Sequence, residues 1–546
     1  MDIKMRNILI GGAWPYANGS LHIGHIAALL PGDVLARYYR AIGDNVYFVS
    51  GSDCHGTPVA IRAKKENKTP GEISDFYHEE FAECFKKLGF SYDVYTKTSA
   101  PAHKNFVKEF HRKLYEIGYV YEKETPQAYC ESCGTFLADR YVSGKCPECG
   151  KDTRGDQCDF CGAVLEPETL AEPVCAVCGK PVSFKNSRHL YIAVTRLRRE
   201  LKELVDNHPE WRKNAVIFTN RYIDEGLKDR ALTRDLEWGI EVPKEGYEKK
   251  TIYIWAENVL GYLSASWEAA GKRGGDFREL WGKDAKHYYV HGKDNIPFHT
   301  IILPALLLAS GENWHLPDRI VSSEYLTLEG RKISTSRNYA IWVRDLLKNY
   351  ESDSLRYFFL ANGPEKKDTD FSWREYVNSH NGELLGAYGN FVNRSLLFIQ
   401  KYCGGIVPRG VEDSDLNGRT EKLFGSVGRQ IENGAFRDAI DEIFAFVRSA
   451  NRFFDTQQPW ITRNTDKRAC DNTLYQCVQI IANLAVLLQP FLPFSSEKVR
   501  GWLRLSSKWE RQSIPTGFQL PEVEILFQRI DKKVIEIETE KLKSIL

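Results

Sequence analysis

The sequence predicts an α/β protein: a parallel sheet, interrupted by a cysteine-rich insert and followed by an α-helical bundle. Three observations predict it. Strand, helix and strand patterns follow one another within the first fifty or so residues. Eight of the 13 cysteines fall between Cys130 and Cys178, all in C-x-x-C pairs. From Asn378 onward, apolar residues recur at helical spacing with few strand signals. At 546 residues the chain exceeds what a single hydrophobic core supports, so several domains are expected.

The stretch "RNILIGG" (Arg6 to Gly12) reads as a short buried strand. A polar turn follows, and Ser20, a favourable N-cap residue, marks the expected start of the first helix. A break is expected at Pro31-Gly32, after which "PGDVLARYYRAIG" continues helically to a stop at Gly43. "NVYFVSG" (Asn45 to Gly51) is the second strand. A strand–helix–strand unit implies parallel pairing, with a ligand beyond the carboxyl ends of the strands. That edge carries "AWPYANGS" after the first strand and "SDCHGTP" (Ser52 to Pro58) after the second. The cysteine region, from Tyr119 to Arg188, interrupts the alternation as an insert. Alternation is expected to resume with "TIYIWAENVLGY" (Thr251 to Tyr262), "HYYVHG" (His287 to Gly292) and a helix from Pro297 to Ser310. The later segments "AIDEIFAFVRSANRFFD" and "VQIIANLAVLLQPFLPF" carry the helical periodicity of the bundle.

Composition excludes several classes. Apolar residues make up 42%, charged residues 27% and aromatics 12%, as in an ordinary globular protein. A net charge of +1 argues against wholesale adhesion to nucleic acid while permitting a local basic face. The longest apolar stretch, "TIILPALLLA", is too short to span a bilayer and contains Pro304. The first residues show no secretory signal, and the five remaining cysteines are scattered, so a cytoplasmic protein is expected.

Three motifs carry chemistry. In "LHIGH", His22 and His25 are three residues apart at a helix start, so both rings face one side. A helix N-terminus offers free N–H groups and partial positive charge to a phosphate, and Gly24 lets a ligand approach the backbone. In "EGRKISTSRN" (Glu329 to Asn338), a basic, Ser-rich loop offers Lys332 and hydroxyls to a polyphosphate. The third motif is the set of knuckles Cys130/Cys133, Cys146/Cys149, Cys158/Cys161 and Cys175/Cys178. Four C-x-x-C pairs supply two closed, all-thiolate zinc sites, which are structural because no coordination position stays open. Redox-active pairs do not come in fours on turn-rich "CPECG" and "CAVCG" segments.

"HIGH" followed by "KISTS" resembles the paired signatures of the class I aminoacyl-tRNA synthetases. The rest of the chain resembles the methionyl branch of that family, through "AWPYANGSLHIGH", "GSDCHGTP", the knuckles, "IYIWAENVLGY", "HGKDNIPFH", "KISTSR" and "GNFVNR" followed by "QQPW". The resemblance implies a Rossmann-type catalytic domain in two halves, 1–118 and 231–322, around a connective zinc-knuckle insert, 119–230. It further implies a KMSKS-type loop and stem-contact region, 323–377, and a helical anticodon-binding domain, 378–546. The implied reaction activates L-methionine with ATP, accompanied by Mg2+, to methionyl-adenylate with release of pyrophosphate. Methionine then passes to the 3' end of tRNA(Met).

By the same resemblance, His22 and His25 hold phosphate oxygens and Lys332 clamps the β and γ phosphates. Gly24, Gly292, Asp294 and Thr335 join the ATP site. Asp53 meets the methionine ammonium, while Tyr16, Trp255, Tyr262 and His299 line the thioether slot, where aromatic edges suit sulfur. Asn390, Arg394 and Trp460 read the anticodon. The zinc ligands group as Cys146, Cys149, Cys158 and Cys161 in one site and Cys130, Cys133, Cys175 and Cys178 in the other. A monomer is expected. Two departures from the family pattern stand out. Thr335 replaces the second lysine of the loop, and losing a charge-assisted contact costs about 1.5–3 kcal/mol unless a neighbour such as Arg331 or Arg337 substitutes. Trp14, Asn258 and Asn295 stand where smaller or aliphatic residues are frequent.

Overall fold

The computed structural model describes residues 5–544 apart from 156, 157, 159, 162, 164 and 336. Its centre is a five-stranded sheet of β1 (Asn7–Gly12), β2 (Asn45–Ser52), β3 (Val94–Lys97), β4 (Ala285–Gly292) and β5 (Arg319–Ser323). All pairs are parallel and the order is β5-β4-β1-β2-β3. The order reverses between β1 and β4, which places the ligand crevice at their carboxyl ends.

Helix α1 (Ile23–Ala41) crosses from β1 to β2 and corrects two expectations. It starts at Ile23, capped by His22, and Ser20 lies outside it. The reason is tertiary. Ile23 N–H donates to the Ile341 carbonyl at 3.1 Å and Val343 N–H to the Leu21 carbonyl at 2.8 Å, so the residues after Ser20 are held extended. Pro31-Gly32 is no break either, because α1 runs straight through it. An interior proline costs about 3 kcal/mol, but Leu29 to Val34 are all buried, and that packing outweighs the lost bond. Gly32 marks a close approach: a Cβ there would lie 3.0 Å from the Phe48 ring of β2.

Between the helix Pro101–Glu116 and β4 stands the insert. Its stem pairs Val120–Cys130 antiparallel with Ser183–Ile192. A second small sheet of Val142–Lys145, Asp152–Arg154 and Ala171–Cys175 lies among the knuckles. "TIYIWAENVLGY" does not rejoin the central sheet. Only Thr251–Ile252 is a strand, paired with Thr233–Arg234, and helices Ile254–Asn258 and Gly261–Arg273 follow. Its apolar residues are buried on several sides, and a continuous apolar run does not by itself distinguish strand from helix. The helix expected from Pro297 opens with a π-turn, Phe298–Ile302, before the α-helix Leu303–Ala309.

Past β5, Leu326–Leu328 pairs with Arg331–Lys332 and Thr369–Phe371. Helices Asn390–Tyr402, Ser414–Glu432, Phe436–Gln457, Lys467–Leu487 and Pro493–Leu503 then form the bundle. Lys467–Leu487 is buried almost throughout its last four turns and forms the bundle's axis. Its core is continuous with the one beneath α1. Among the described residues, no helix is long and apolar enough to cross a membrane.

Candidate active site

The crevice at β1 and β4 is floored by the start of α1. His22 is the N-cap rather than a first-turn residue: its Nδ1 accepts from Gly24 N–H at 3.1 Å. The Nδ1 of His25 accepts in turn from His22 N–H at 3.1 Å, which closes a capping box made of two imidazoles. A neutral imidazole that accepts at Nδ1 carries its proton on Nε2. Both rings are therefore fixed as Nε2–H donors, with centroids 3.9 Å apart. Burial, and then the neighbouring ring, push His22 well below the ordinary imidazole value; burial lowers His25 to about 4. Both are neutral donors at neutral pH, beside the helix N-terminus.

The second signature meets the first. A hairpin joins Leu326–Leu328 to Arg331–Lys332 through Glu329 and Gly330, at φ 47° and 75°. Lys332 and Thr335 are exposed, as are Arg331 and Arg337; Ser336 lies outside the described residues. Ser334 and Tyr339 exchange backbone bonds of 2.9 Å across the loop, and Asn338 N–H bonds the Thr335 carbonyl at 3.1 Å. The Ile333 methyl lies 3.8 Å from where a Gly24 Cβ would sit. Gly292, at the end of β4, faces α1 with the Ala28 methyl 3.9 Å from its own Cβ position. Asp294, in the turn Lys293–Asn295, accepts a hydrogen bond from Tyr325 OH, and the Lys332 ammonium stands 6.0 Å from that tyrosine's ring. Gly24, Gly292, Asp294 and Lys332 therefore share one rim.

Aromatic residues form the next wall. Trp255 Nε1–H donates to Tyr16 OH at 3.2 Å, and the Trp255 ring lies 4.2 Å from Phe298. His299 Nδ1–H donates to the Asn295 carbonyl at 2.8 Å, which leaves Nε2 to accept from Tyr262 OH at 2.7 Å. Burial lowers His299 to about 4, so this tautomer persists at neutral pH. Gly11 makes room for Tyr262: a Cβ there would sit 2.7 Å from the ring. Asp53 is tied to the Tyr16 loop, its N–H donating to the Pro15 carbonyl and its carbonyl accepting from Ala17, both at 2.8 Å. It is only 2% exposed. Burial, and then Glu257, raise its carboxyl well above the usual range, against the pull of the His55 N–H and the Asn258 side chain. Trp14 does not line the opening. It is 7% exposed and wedged where a Cβ on either Gly51 or Gly261 would come within 2.6 Å of its ring.

The comparisons with known proteins identify the family. The family model described as tRNA synthetases class I (M) matches residues 8–396. The model of the anticodon binding domain of methionyl tRNA ligase matches residues 407–544. The chain belongs to the methionyl family of class I tRNA synthetases. It is 52% identical over 538 residues to methionine–tRNA ligase 1 of Alkaliphilus oremlandii, covering 98% of this chain and 99% of that protein. It is 54% identical over 541 residues to methionine–tRNA ligase of Bacillus cereus, with the same coverage of each. The methionyl-tRNA synthetase of Mycobacterium tuberculosis, solved with methionyl-adenylate, has the same fold at TM-score 0.81 and 24% identity, over 96% of this chain and 100% of that one.

This member of the methionyl family gathers its knuckles into two quartets: Cys130, Cys133, Cys175 and Cys178, and Cys146, Cys149, Cys158 and Cys161. Within each quartet all sulfurs lie within 4.8 Å of one another. Sγ separations are 3.5 and 4.0 Å in the first and 3.7 and 3.6 Å in the second. Tetrahedral zinc with bonds of about 2.3 Å separates its sulfurs by about 3.8 Å, so both quartets fit such an ion. Gly134, Gly150 and Gly179, at φ 64°, 70° and 70°, supply the left-handed turns after three of the pairs.

On the bundle, Asn390 and Arg394 lie one turn apart on the helix Asn390–Tyr402. Arg394 pairs with Asp455 at 2.7 Å and lies over the Phe454 ring at 4.3 Å. The ring of Trp460, 43% exposed, is 6.0 Å from the same Phe454. Arg394 and Trp460 thus share a surface, with Asn390 exposed at its edge. Sequence reasoning missed the His55–Glu257 pair beside Asp53, buried at 1% and 0% with 2.7 Å between Nδ1 and Oε1. Proximity of His55 to Asp53 was the available signal; nothing local marks Glu257.

Proposed function

We propose that the protein activates L-methionine with ATP and transfers it to the 3' end of tRNA(Met). A methionine carboxylate oxygen attacks the α-phosphorus, and the bond to the bridging oxygen breaks to release pyrophosphate. The terminal ribose hydroxyl of the tRNA then attacks the carbonyl of the adenylate, and AMP leaves. Catalysis in the first step is positioning and charge stabilisation. The observation that carries this reading is the contact between the two signature segments, with Ile333 against Gly24 and Ile341 and Val343 bonded to Ile23 and Leu21.

His22 and His25 donate Nε2–H to the phosphate oxygens as charge builds there. Lys332 and the Thr335 hydroxyl hold the outer phosphates of ATP, which enters as its magnesium complex. Gly24 lets ATP approach the backbone at the helix N-terminus, and Gly292 and Asp294 bound the adenosine. Asp53 holds the ammonium, and Tyr16, Trp255, Tyr262 and His299 enclose the thioether. Asn390, Arg394 and Trp460 meet the anticodon, where an exposed indole offers a stacking face. Zinc in the two quartets keeps the insert folded. The testing experiment is exchange of labelled pyrophosphate into ATP with each of the twenty amino acids, without tRNA. Exchange with methionine alone is expected. Exchange with another amino acid overturns the pocket assignment, and none from folded, zinc-loaded protein overturns the activation chemistry.

A further inference from the structure

Asp53 has a buried acidic neighbour that the activation chemistry does not employ. Glu257 is fully buried on the helix Ile254–Asn258. One carboxylate oxygen is 2.7 Å from His55 Nδ1, and the other has no partner. His55 Nε2 is likewise buried and unpartnered. Both residues reach Asp53 through the chain: His55 N–H is 3.4 Å from Asp53 Oδ1, and Asn258, next to Glu257, hydrogen-bonds the Asp53 carboxyl. Nearby stand Trp238, whose ring is 5.4 Å from His55, and His103, which is bonded to Ser264 at 2.8 Å. Arg234 lines the same cavity as His55 and Trp238, but its guanidinium is engaged by Asp139 at 3.5 Å and lies over the Tyr253 ring at 3.9 Å. Lys104 lies beyond, 5.6 Å from the Trp238 ring. Among the described residues, no lysine or arginine pairs with either carboxylate.

Two buried carboxylates share a single imidazole and no lysine or arginine partner, so holding both ionised is costly unless a cation arrives. We infer that Glu257 is a positioning residue for the amino-acid substrate: held by His55, it adds a second negative charge to a seat whose missing cation is the substrate's own α-ammonium. This rests on the reading of the protein as a methionine-activating enzyme and deepens it. Asp53 touches the ammonium, and Glu257 acts behind it through the field and through Asn258. The neutral thioether is bound by the aromatic wall, so Glu257 selects for the charged amino group and not for the side chain.

The test uses two ligands without a carboxylate that differ only in the amino group: methioninol, which carries the ammonium, and its deaminated counterpart, 4-(methylthio)butan-1-ol. Their Kd values are measured by calorimetry on the full, zinc-loaded chain. Glu257→Gln is expected to weaken methioninol about 10- to 100-fold, to leave the deaminated alcohol within twofold, and to leave the KM for ATP unchanged. Glu257→Asp keeps the charge but draws it back, and is expected to weaken methioninol by a smaller factor and the deaminated alcohol not at all. It serves alone if the neutral variant does not fold. Equal weakening of both ligands means that Glu257 only packs the site and overturns the inference, as does unchanged methioninol binding. Failure of the unsubstituted protein to bind methioninol overturns the methionine reading itself.

Discussion

Replacing Gly24 with alanine tests whether His22 acts only when its ring is held by the helix cap. A Cβ at Gly24 would lie 2.9 Å from His22 Cε1 and 3.0 Å from Nδ1. The backbone at this position is already helical, so the ring must swing away. Stability should barely move: losing the cap bond costs about 1 kcal/mol, and alanine regains about 1 kcal/mol of helix propensity. The rate should fall far more. Removing one preorganised donor from developing oxyanion charge costs about 100- to 1000-fold in kcat, and a half-buried neutral imidazole belongs near the lower figure. The assay is methionine-dependent pyrophosphate exchange at saturating methionine and ATP, with Tm recorded on the same preparation. A folded Gly24→Ala enzyme whose exchange rate stays within about threefold of the original would refute the argument from preorganised donors.

Four further outcomes are expected. Thr335→Lys should raise the exchange rate by about tenfold if the exposed loop lacks a charged contact to the outer phosphates; an unchanged rate would show that Arg331 or Arg337 already supplies it. Because burial and Glu257 raise the Asp53 carboxyl, its ionised form, the one proposed to hold the methionine ammonium, is lost at higher pH than for an ordinary aspartate. The KM for methionine should therefore rise as pH falls, and a KM flat from pH 8 down to about 5, near where an ordinary aspartate begins to titrate, would contradict this. Trp460→Ala should reduce kcat/KM for tRNA by about 5- to 150-fold, the worth of one stacked base, while leaving exchange untouched; equal losses in both assays would remove the residue from tRNA recognition. Metal analysis should find two zinc ions per chain, with Cys146→Ser losing one and Cys130→Ser the other; loss of both from either variant would break the assignment into separate quartets.

What the sequence made legible follows from local physics. β1 and β2 are short apolar runs ended by polar turns, and each knuckle is a spacing set by one turn of chain around a metal. The approach of Ile333 to Gly24 was legible only through resemblance to a family, because nothing local joins residues so far apart. Where reading failed, a tertiary contact overrode a propensity. Ser20 is the better cap, yet the bonds from Leu21 and Ile23 to the segment after the Lys332 loop hold that stretch extended and hand the cap to His22. Pro31 is a helix breaker only where nothing packs on the helix. Glu257 could not be found from pattern at all, since its partner His55 lies on the other side of the insert.

The course of α1 shows why domain labels understate the connection between sheet and bundle. Near its middle, Asp33 is fully buried and accepts from Arg37, Ser91 and Arg356 at 2.8, 2.7 and 2.7 Å. Burial alone would raise its carboxyl, but Arg37 and Arg356 hold it at about 2. Arg356, also fully buried, spends its remaining donors on the carbonyls of Phe491, Pro490 and Leu88 at 2.8, 3.0 and 3.2 Å. Removing either partner from such a pair costs about 3–5 kcal/mol, because the other is left charged in the core. Farther along, Tyr38 OH reaches Glu432 at 3.1 Å, and Trp509 N–H bonds the Ala41 carbonyl at 2.9 Å. The bundle is therefore built onto the same helix whose N-terminus carries His22 as its cap and His25 in its first turn. Such a helix cannot bend at Pro31 without opening a buried ion pair, so the span from the His22–His25 cap to the surface around Trp460 is set by packed core and not by a linker.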